Sequence, residues 1–281
     1  SLDPSCADIA EAEARIPPHA GKASRNQTEG IPTNQSGLDS KSFVPPLRYK
    51  DMERFDVPQV TKQEFLDFLQ GKAGVRVDNY IESAVEVAEE VHSGLMREDG
   101  TSPFLETHTW PVTMDVVSHY RSANRNITSV EIAAAILHDV MEDDDRILNL
   151  HESKSYGFDA YIAYRFGSRI RDVATELKIK PLENYSGSSD VDSQLARFQE
   201  YCDILRDAEY DIKVIKLADR FNNMAFIRRV PGHDKIRRYT REAEDFYIAY
   251  TMLPPKMPEF YSRMRTAYEE LRATALKAIA A

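Results

Sequence analysis

Two histidines and two aspartates in three separated segments of this chain have the residue types of a metal site. The first segment contributes His108, the second the dipeptide His138-Asp139, and the third Asp219. Imidazole nitrogens and carboxylate oxygens together bind divalent ions, and the spacing leaves Mn²⁺, Zn²⁺, Fe²⁺ and Co²⁺ open. Four protein ligands also leave positions for water or substrate. The sequence therefore predicts one divalent metal centre, assembled from three helical segments.

Two further carboxylates, Glu142 and Asp143, follow the His138-Asp139 dipeptide. A helix of 3.6 residues per turn that continued to Asp143 would place His138 on one face with Glu142, and Asp139 on one face with Asp143. The C-terminal end of a helix carries partial negative charge, which favours a bound cation over a bare cluster of carboxylates. This segment is therefore predicted to be a helix whose end gathers four polar groups beside the core.

The elements that must position these residues are predicted to be helices. From residue 61 onward apolar residues recur at helical spacing, and no alternating strand pattern is evident. Thr128 begins a capping-box pattern, Ser189 begins another N-terminal cap, and Gly167 separates two short helices. Besides the helix that carries Asp219, we expect helical segments over residues 77–95, 128–139, 158–166, 168–177, 189–205, 236–250 and 257–275. The predicted fold class is all-α.

The composition divides the chain into two parts. Residues 1–50 are rich in Pro, Gly, Ser, Asn and Gln, which predicts a disordered N-terminal tail. Residues 51–281 are expected to form a single domain with C-terminal helices. Over the whole chain 42 % of residues are hydrophobic and 29 % are charged, which is typical of a globular protein.

Charge and cysteine content exclude several classes of function. The net charge of −10 argues against binding to nucleic acid, although a local cluster of basic residues could still bind an anionic small molecule. No apolar run approaches the roughly 18 residues of a membrane span. The two cysteines, Cys6 and Cys202, are too few for a disulfide framework, and Cys202 falls on an apolar stripe. No signal peptide is visible, so we expect a cytoplasmic location.

Several motifs resemble those of a known family. The stretch from His138 to Asp143 is similar to an HDxxED motif, residues 211–224 resemble the family's most diagnostic stretch, and an arginine-containing loop with Arg97 precedes His108. On these motifs, residues of about 77 to 250 resemble the HD-type hydrolase domain of the RelA/SpoT homologue family, which removes the 3′-pyrophosphate from the alarmone (p)ppGpp. Too little chain follows Tyr250 for a synthetase domain, so the protein resembles a small, hydrolase-only member.

The resemblance implies a fold and a set of roles. The fold would be an HD-domain helical bundle, the metal would be manganese, and the substrate would be a purine nucleotide. The implied residues are the metal ligands His108, His138, Asp139 and Asp219, the catalytic pair Glu142 and Asp143, and the substrate contacts Arg97, which would pack over the purine, and Asn223. A planar guanidinium suits such stacking better than an ammonium group.

The chain also departs from the family pattern near the expected nucleotide pocket. Glu98 stands where many bifunctional members have a basic residue, Asn222 replaces a common histidine, and Ala225-Phe226 replaces the usual Arg-Thr. We therefore expect (p)ppGpp as the leading substrate and its adenine analogue (p)ppApp as a close second.

Other functions stay open at this point. One alternative is another HD-type phosphohydrolase that acts on deoxynucleotides or cyclic nucleotides. A second is a non-enzymatic regulator that binds an alarmone. A third shares the proposed chemistry: the hydrolase could act as the antitoxin of an alarmone-synthesising toxin, which would add a cognate toxin as partner. The sequence leaves the oligomeric state undetermined.

Overall fold

The computed structural model describes residues 57–142, 157–178, 180–185, 187, 189–230 and 233–280. These residues form helices and no strand, since the antiparallel pairing of Met96 with Pro103 is an isolated bridge. The predicted all-α fold class is thereby confirmed. None of the helices in this described part of the chain combines the length and apolarity of a membrane span. The tail of residues 1–50, predicted to be disordered, lies outside the described residues.

The described residues contain ten α-helices of six residues or more. In chain order they are α1 (Lys62–Asp67), α2 (Asn79–His92), α3 (Trp110–Ser122), α4 (Ser129–Ile136), α5 (Phe158–Phe166), α6 (Ser168–Leu177), α7 (Asp190–Asp207), α8 (Tyr210–Ile227), α9 (His233–Glu242) and α10 (Pro258–Ala280). The π-helical turns are Phe68–Lys72, Leu105–Thr109 and Ala243–Tyr247, and the last of these continues into a short helix, Ile248–Tyr250. The 3₁₀ turns are Val140–Glu142 and Leu182–Asn184.

Local sequence explains several helix ends. The Thr128 side chain caps α4 in a reciprocal capping box with Glu131, and the Ser189 hydroxyl accepts a hydrogen bond from the backbone N–H of Asp192 at the start of α7. Gly167 has a φ angle of 84°, a conformation that favours glycine, and it separates α5 from α6. The predicted helices over 158–166 and 168–177 are confirmed.

The helix that begins after Thr128 is shorter than predicted. It ends at Ile136, so that His138 and Asp139 lie in a turn and Glu142 in the 3₁₀ turn that follows. Atom Nδ1 of His138 lies 2.8 Å from the carbonyl oxygen of Ala135. In a continuing helix the Ala135 carbonyl oxygen would accept a hydrogen bond from the backbone N–H of Asp139. Here it is instead the partner of the His138 side chain. The prediction that His138 and Glu142 share a helical face is therefore wrong.

Two large clusters of buried apolar side chains form most of the described core, and α4 contributes to both. A third, small cluster consists of Val57, Ala225 and Phe226. Ala134 and Ala135 belong to one large cluster, whereas Ile132 and Ile136 belong to the other. Packing on both sides holds α4 in place, and with it the turn that carries His138. Helices α3 and α6 likewise contribute side chains to both clusters.

Helix α8 lies within the larger of these clusters. It packs against α3, α6, α9 and α10, and all of its 18 residues except Tyr210, Lys213 and Asn223 are buried. A helix enclosed on all sides is normally apolar around its whole circumference. The polar residues Lys216 and Asp219, which are buried on α8, therefore need polar partners to offset the cost of leaving water.

The stripe that contains Cys202 reaches the core only in the second half of α7. Cys202 and Leu205 are buried as predicted. Val191 and Leu195, which the sequence pattern places on the same stripe, are exposed. Burial raises the pKa of the Cys202 thiol to about 12, so this cysteine has the environment of a structural residue and not of a nucleophile.

Candidate metal centre

The predicted metal ligands come from three elements that the fold brings together. His108 lies in the π-helical turn Leu105–Thr109 ahead of α3, His138 and Asp139 lie in the turn after α4, and Asp219 lies in α8. One ligand atom each from His108, His138 and Asp219 lie within 4.8 Å of one another, and all three residues are buried. This distance is short enough for the three atoms to share one ion.

The two imidazoles direct their ring lone pairs at each other. Nδ1 of His138 lies 2.8 Å from the carbonyl oxygen of Ala135, and Nδ1 of His108 lies 2.8 Å from Oδ1 of Asn222. Both partner atoms are acceptors, so we infer that each Nδ1 carries the ring hydrogen and that each Nε2 of the neutral rings keeps its lone pair. The two Nε2 atoms are only 3.2 Å apart. Lone pairs repel at this distance unless protons or a cation lie beside them, which suits a metal site.

Asp139 faces the same two nitrogens. Its Oδ2 lies 2.7 Å from Nε2 of His108 and 3.3 Å from Nε2 of His138. Burial acts to raise the pKa of the Asp139 carboxyl, but the facing imidazoles of His138 and His108 hold that pKa well below its usual range. About one fifth of the side chain is exposed (19 %), which opens this side of the cluster to water or a ligand.

The Asp219 carboxylate bridges the cluster and a buried lysine. Its Oδ1 lies 3.6 Å from Nε2 of His108, and its Oδ2 lies 2.7 Å from Nζ of Lys216. Burial acts to raise the pKa of Asp219, but the Lys216 ammonium lowers it below the ordinary value. Two imidazole nitrogens and two ionised carboxylates are a donor set that fits a divalent cation. Lys216 offsets one of the two negative charges.

A second layer of hydrogen bonds orients the first histidine. Oδ1 of Asn222 accepts from His108 and also from the Arg97 guanidinium, at 2.7 Å, while Nδ2 of Asn222 donates to the carbonyl oxygen of Thr107 at 3.1 Å. The bond to Thr107 determines which end of the amide faces His108. Partners of this kind set the tautomer and ring orientation of metal-binding histidines.

Arg97 is held by the protein on several sides. It donates to Asn223 at 2.7 Å and to the carbonyl oxygen of Thr107 at 3.2 Å, in addition to Asn222. Its guanidinium carbon lies 3.6 Å from the centre of the Phe226 ring. One face of the guanidinium is therefore covered by Phe226, which leaves only the other face for the expected stacking on a purine. Burial lowers the pKa of Arg97 to about 10, against the opposing effect of Asp219, and the group stays charged at neutral pH.

A cavity adjoins this part of the centre. It has a volume of about 180 Å³, and its lining residues are Leu95, Met96, Arg97, Glu98, Phe104, Asn223, Phe226, Ile227, Lys235 and Tyr239. Phe104 connects it to the metal centre, because its ring centroid lies 5.0 Å from that of His108. Asn223 makes a second connection by donating to Asp219. The two predicted substrate contacts, Arg97 and Asn223, thus lie between the cluster and the cavity.

The predicted catalytic pair is described only in part. Glu142 is exposed at the end of the 3₁₀ turn, and its backbone N–H donates to the carbonyl oxygen of Asp139 at 3.0 Å, which ties this residue to the turn that carries the cluster. Asp143 lies outside the described residues. An exposed carboxylate at this position is accessible to water.

Several residues of the site went unrecognised in the sequence. Lys216 stands three residues before Asp219, a spacing at which charged helix residues meet, and that pattern could have identified it. Asn222 and Phe226 stood out only as departures from a family pattern. Lys235 and Tyr239 lie four residues apart on α9 and reach the cavity only through the packing of α9 against α8.

Comparison with known proteins adds no assignment. No protein-family model matches the chain, and no curated protein matches it. The chemistry of the site therefore rests on its residues: a donor set for one divalent cation, an exposed carboxylate near it, and a cavity with two cationic side chains next to it.

Proposed function

We propose that this protein is a metal-dependent phosphohydrolase of the RelA/SpoT type that removes the 3′-pyrophosphate of the alarmone (p)ppGpp. The observation that carries the proposal is the pair of histidine Nε2 atoms, 3.2 Å apart, with the carboxylates of Asp139 and Asp219 around them. A bound divalent cation would explain this arrangement, because it would offset the repulsion among the facing lone pairs and carboxylates. The reaction would yield GDP or GTP and pyrophosphate.

The metal fits the donor set, with His108, His138, Asp139 and Asp219 as the residues that would hold it and Mn²⁺ as the expected ion. When bound, such an ion supplies Lewis-acid polarisation of a phosphoryl oxygen and activation of water. Lys216 keeps Asp219 ionised and in place. The reacting phosphorus would lie at the exposed side of the cluster, where 19 % of the Asp139 side chain is exposed.

Glu142 would act as the general base. Its carboxylate would accept the proton of the attacking water, while the bond between phosphorus and the 3′-oxygen breaks with its electron pair on oxygen. The water oxygen bonds to that phosphorus, and the 3′-oxygen receives the proton that Glu142 accepted, so that the products are a 3′-hydroxyl group and pyrophosphate. Arg97 and Asn223, which lie between the cluster and the cavity, would orient the nucleoside relative to Glu142.

The cavity supports a purine nucleotide as the substrate class. Its volume of about 180 Å³ lies below the roughly 300–1,000 Å³ of whole small-molecule sites, so it would hold one part of a nucleotide. Aromatic and amide side chains are the groups that bind a planar base. The residues from 228 to 241 include six Lys and Arg and one acidic residue, Asp234, and they concentrate positive charge in a chain of net charge −10. An anionic ligand is favoured there.

The test is product identity. Purified protein with Mn²⁺ would be incubated with ppGpp, ppApp, dGTP and cyclic dinucleotides, and we expect pyrophosphate from ppGpp, with ppApp second. Asp139→Ala should abolish the activity. Asp234→Ala is a matched control, because Asp234 belongs to the chain's other His-Asp dipeptide and is 96 % exposed. Hydrolysis of deoxynucleotides with both alarmones intact would instead support the alternative phosphohydrolase.

A further distinction concerns biological context. A hydrolase of this kind would counteract an alarmone synthetase, and it would act as an antitoxin if that synthetase were a toxin. Co-expression of the wild-type protein and of Glu142→Gln with an alarmone synthetase tests this: growth should be rescued by the wild type alone. Rescue by both proteins would point to a binding regulator that does not need catalysis.

A further inference from the structure

The mouth of the cavity holds an ion pair that the proposed reaction does not use. Nζ of Lys235 on α9 contacts Oε1 of Glu98, which belongs to the loop that carries Arg97. Both residues line the cavity, and so does Arg97. Three charged side chains therefore face one small space, two of them cationic and one anionic.

The loop is rigid enough to define where Glu98 lies. The backbone N–H of Arg97 donates to Ser102, the N–H of Gly100 donates to Arg97, and the Asp99 carboxylate accepts from the N–H groups of Thr101 and Ser102. Gly100 has a φ angle of 70°, which the turn requires. Glu98 thus projects from a closed turn, and its side chain is the movable part.

The opposite wall is equally well fixed. Arg220 of α8 pairs with Glu242 at 2.6 Å, and its guanidinium lies 4.7 Å from the centre of the Tyr239 ring. Arg220 and Glu242 are both largely buried, so this contact ties α9 to α8. Lys235, one turn before Tyr239, is held at the cavity by the same packing.

Lys235 has the surroundings of a cation that needs an anion. Burial lowers the pKa of Lys235 to about 8, and the neighbouring positive charges of Arg238 and Arg97 act in the same direction. Glu98 is 52 % exposed and Lys235 is 30 % exposed. An ion pair this accessible contributes little net stability, so Glu98 can leave at small cost when a stronger anion arrives.

We infer that Lys235 binds a phosphate group of the ligand remote from the metal centre, and that Glu98 is the internal anion which this phosphate displaces. The inference rests on the proposed function, since it assigns the 5′-phosphates of the proposed nucleotide to the Lys235 side of the cavity. It makes Lys235 a residue that distinguishes 5′-phosphorylated nucleotides from nucleosides. It makes Glu98 a competitor that weakens their binding.

Equilibrium binding of GDP and of guanosine, measured by calorimetry on the full chain, tests the inference without turnover. Lys235→Met should weaken GDP binding by about tenfold, which corresponds to 1.4 kcal/mol, and leave guanosine binding unchanged. Glu98→Gln should strengthen GDP binding by at least about threefold, since removing a competing charge favours the phosphate. The two variants are thus expected to act in opposite directions.

Two matched variants control for net charge. Arg265→Met removes one positive charge from α10 at a side chain that is 58 % exposed and pairs with Glu269. Glu89→Gln removes one negative charge from a surface pair with Lys62. Neither residue lines the cavity, so neither variant should change the ratio of GDP to guanosine affinity.

The outcomes separate this inference from the proposed function. Equal effects of Lys235→Met on GDP and guanosine, or no effect on either, would overturn the inference, and so would a wild-type protein that does not bind GDP. If pyrophosphate release from ppGpp still occurs in that case, the proposed function stands alone. If GDP binding depends on Lys235 but no alarmone is hydrolysed, the phosphate subsite stands and the proposed reaction fails.

Discussion

The substitution Asn222→Leu probes how the metal centre is oriented. Asn222 is 4 % exposed, and its Oδ1 is the partner of Nδ1 of His108 at 2.8 Å. Leucine fills a similar volume but accepts no hydrogen bond. The substitution therefore leaves the Nδ1–H group of His108 buried without an acceptor, whereas the Arg97 guanidinium keeps its bonds to Asn223 and to the carbonyl oxygen of Thr107.

The magnitude can be estimated in two ways. A buried donor without a partner costs about 1–3 kcal/mol of folding free energy. Loss of the outer partner of a metal-binding histidine typically weakens metal affinity by about 10–100-fold, which is roughly 1.4–2.8 kcal/mol. The two estimates overlap because both describe loss of the hydrogen bond to His108, although the substitution also removes the bonds of Asn222 to Arg97 and to the carbonyl oxygen of Thr107. We therefore expect Asn222→Leu to lower both the stability of the metal-free protein and its affinity for Mn²⁺.

The assay is a titration of Mn²⁺ in competition with a chelator, combined with urea unfolding of the metal-free protein. Thr251→Val is the matched control, because it removes a hydrogen bond of a buried threonine, from Oγ1 of Thr251 to the carbonyl oxygen of Ile248 at 2.7 Å, in a C-terminal segment that contains none of the predicted ligands. It should cost stability without weakening Mn²⁺ binding. Asn222→Asp keeps an acceptor for His108 and should retain more metal affinity than the leucine variant. Unchanged Mn²⁺ affinity in Asn222→Leu would refute the orienting role.

Four further outcomes are expected. Asp219→Ala should lose the bound ion, about one per chain, and destabilise the metal-free protein by about 3–5 kcal/mol in urea unfolding, because the buried Lys216 ammonium loses its carboxylate; adding Lys216→Met should recover part of that loss. Glu142→Gln should keep fold and metal but lose most turnover, and activity within about threefold of wild type, about 0.7 kcal/mol of barrier, would contradict its role as base. Burial lowers the pKa of His119 below its ordinary value of 6.5, so the stability that neutral His119 contributes should be complete above pH 6.5 and be lost as the pH falls below it. In urea unfolding between pH 7 and about 5, the free energy of unfolding of His119→Gln should therefore decline less steeply than that of the wild type. The thiol of Cys202, whose pKa burial raises to about 12, should react with a maleimide only after unfolding, measured in a variant without the other cysteine.

The helices were predictable where their information is local. The capping box at Thr128, the cap at Ser189 and the break at Gly167 each depend on residues within a few positions, and the structure places them as expected. The end of α4 at Ile136 was not predictable from periodicity. The His138 side chain competes with the backbone for the Ala135 carbonyl group. The spacing of apolar residues does not depend on that competition and so could not predict it.

The donor set of the candidate metal centre was predictable from the sequence, because such a centre requires imidazoles and carboxylates and the chain has these at His108, His138, Asp139 and Asp219. Only the tertiary structure decided what surrounds them. The partnership of Asn222 with His108 joins residues 114 positions apart, and the contact of Glu98 with Lys235 joins residues 137 positions apart. Which residues can bind a metal depends on the donor atoms of their own side chains, and these are known from the sequence. The orientation of a ligand, and the charge of the cavity beside it, depend on which distant side chains helix packing brings within hydrogen-bonding range.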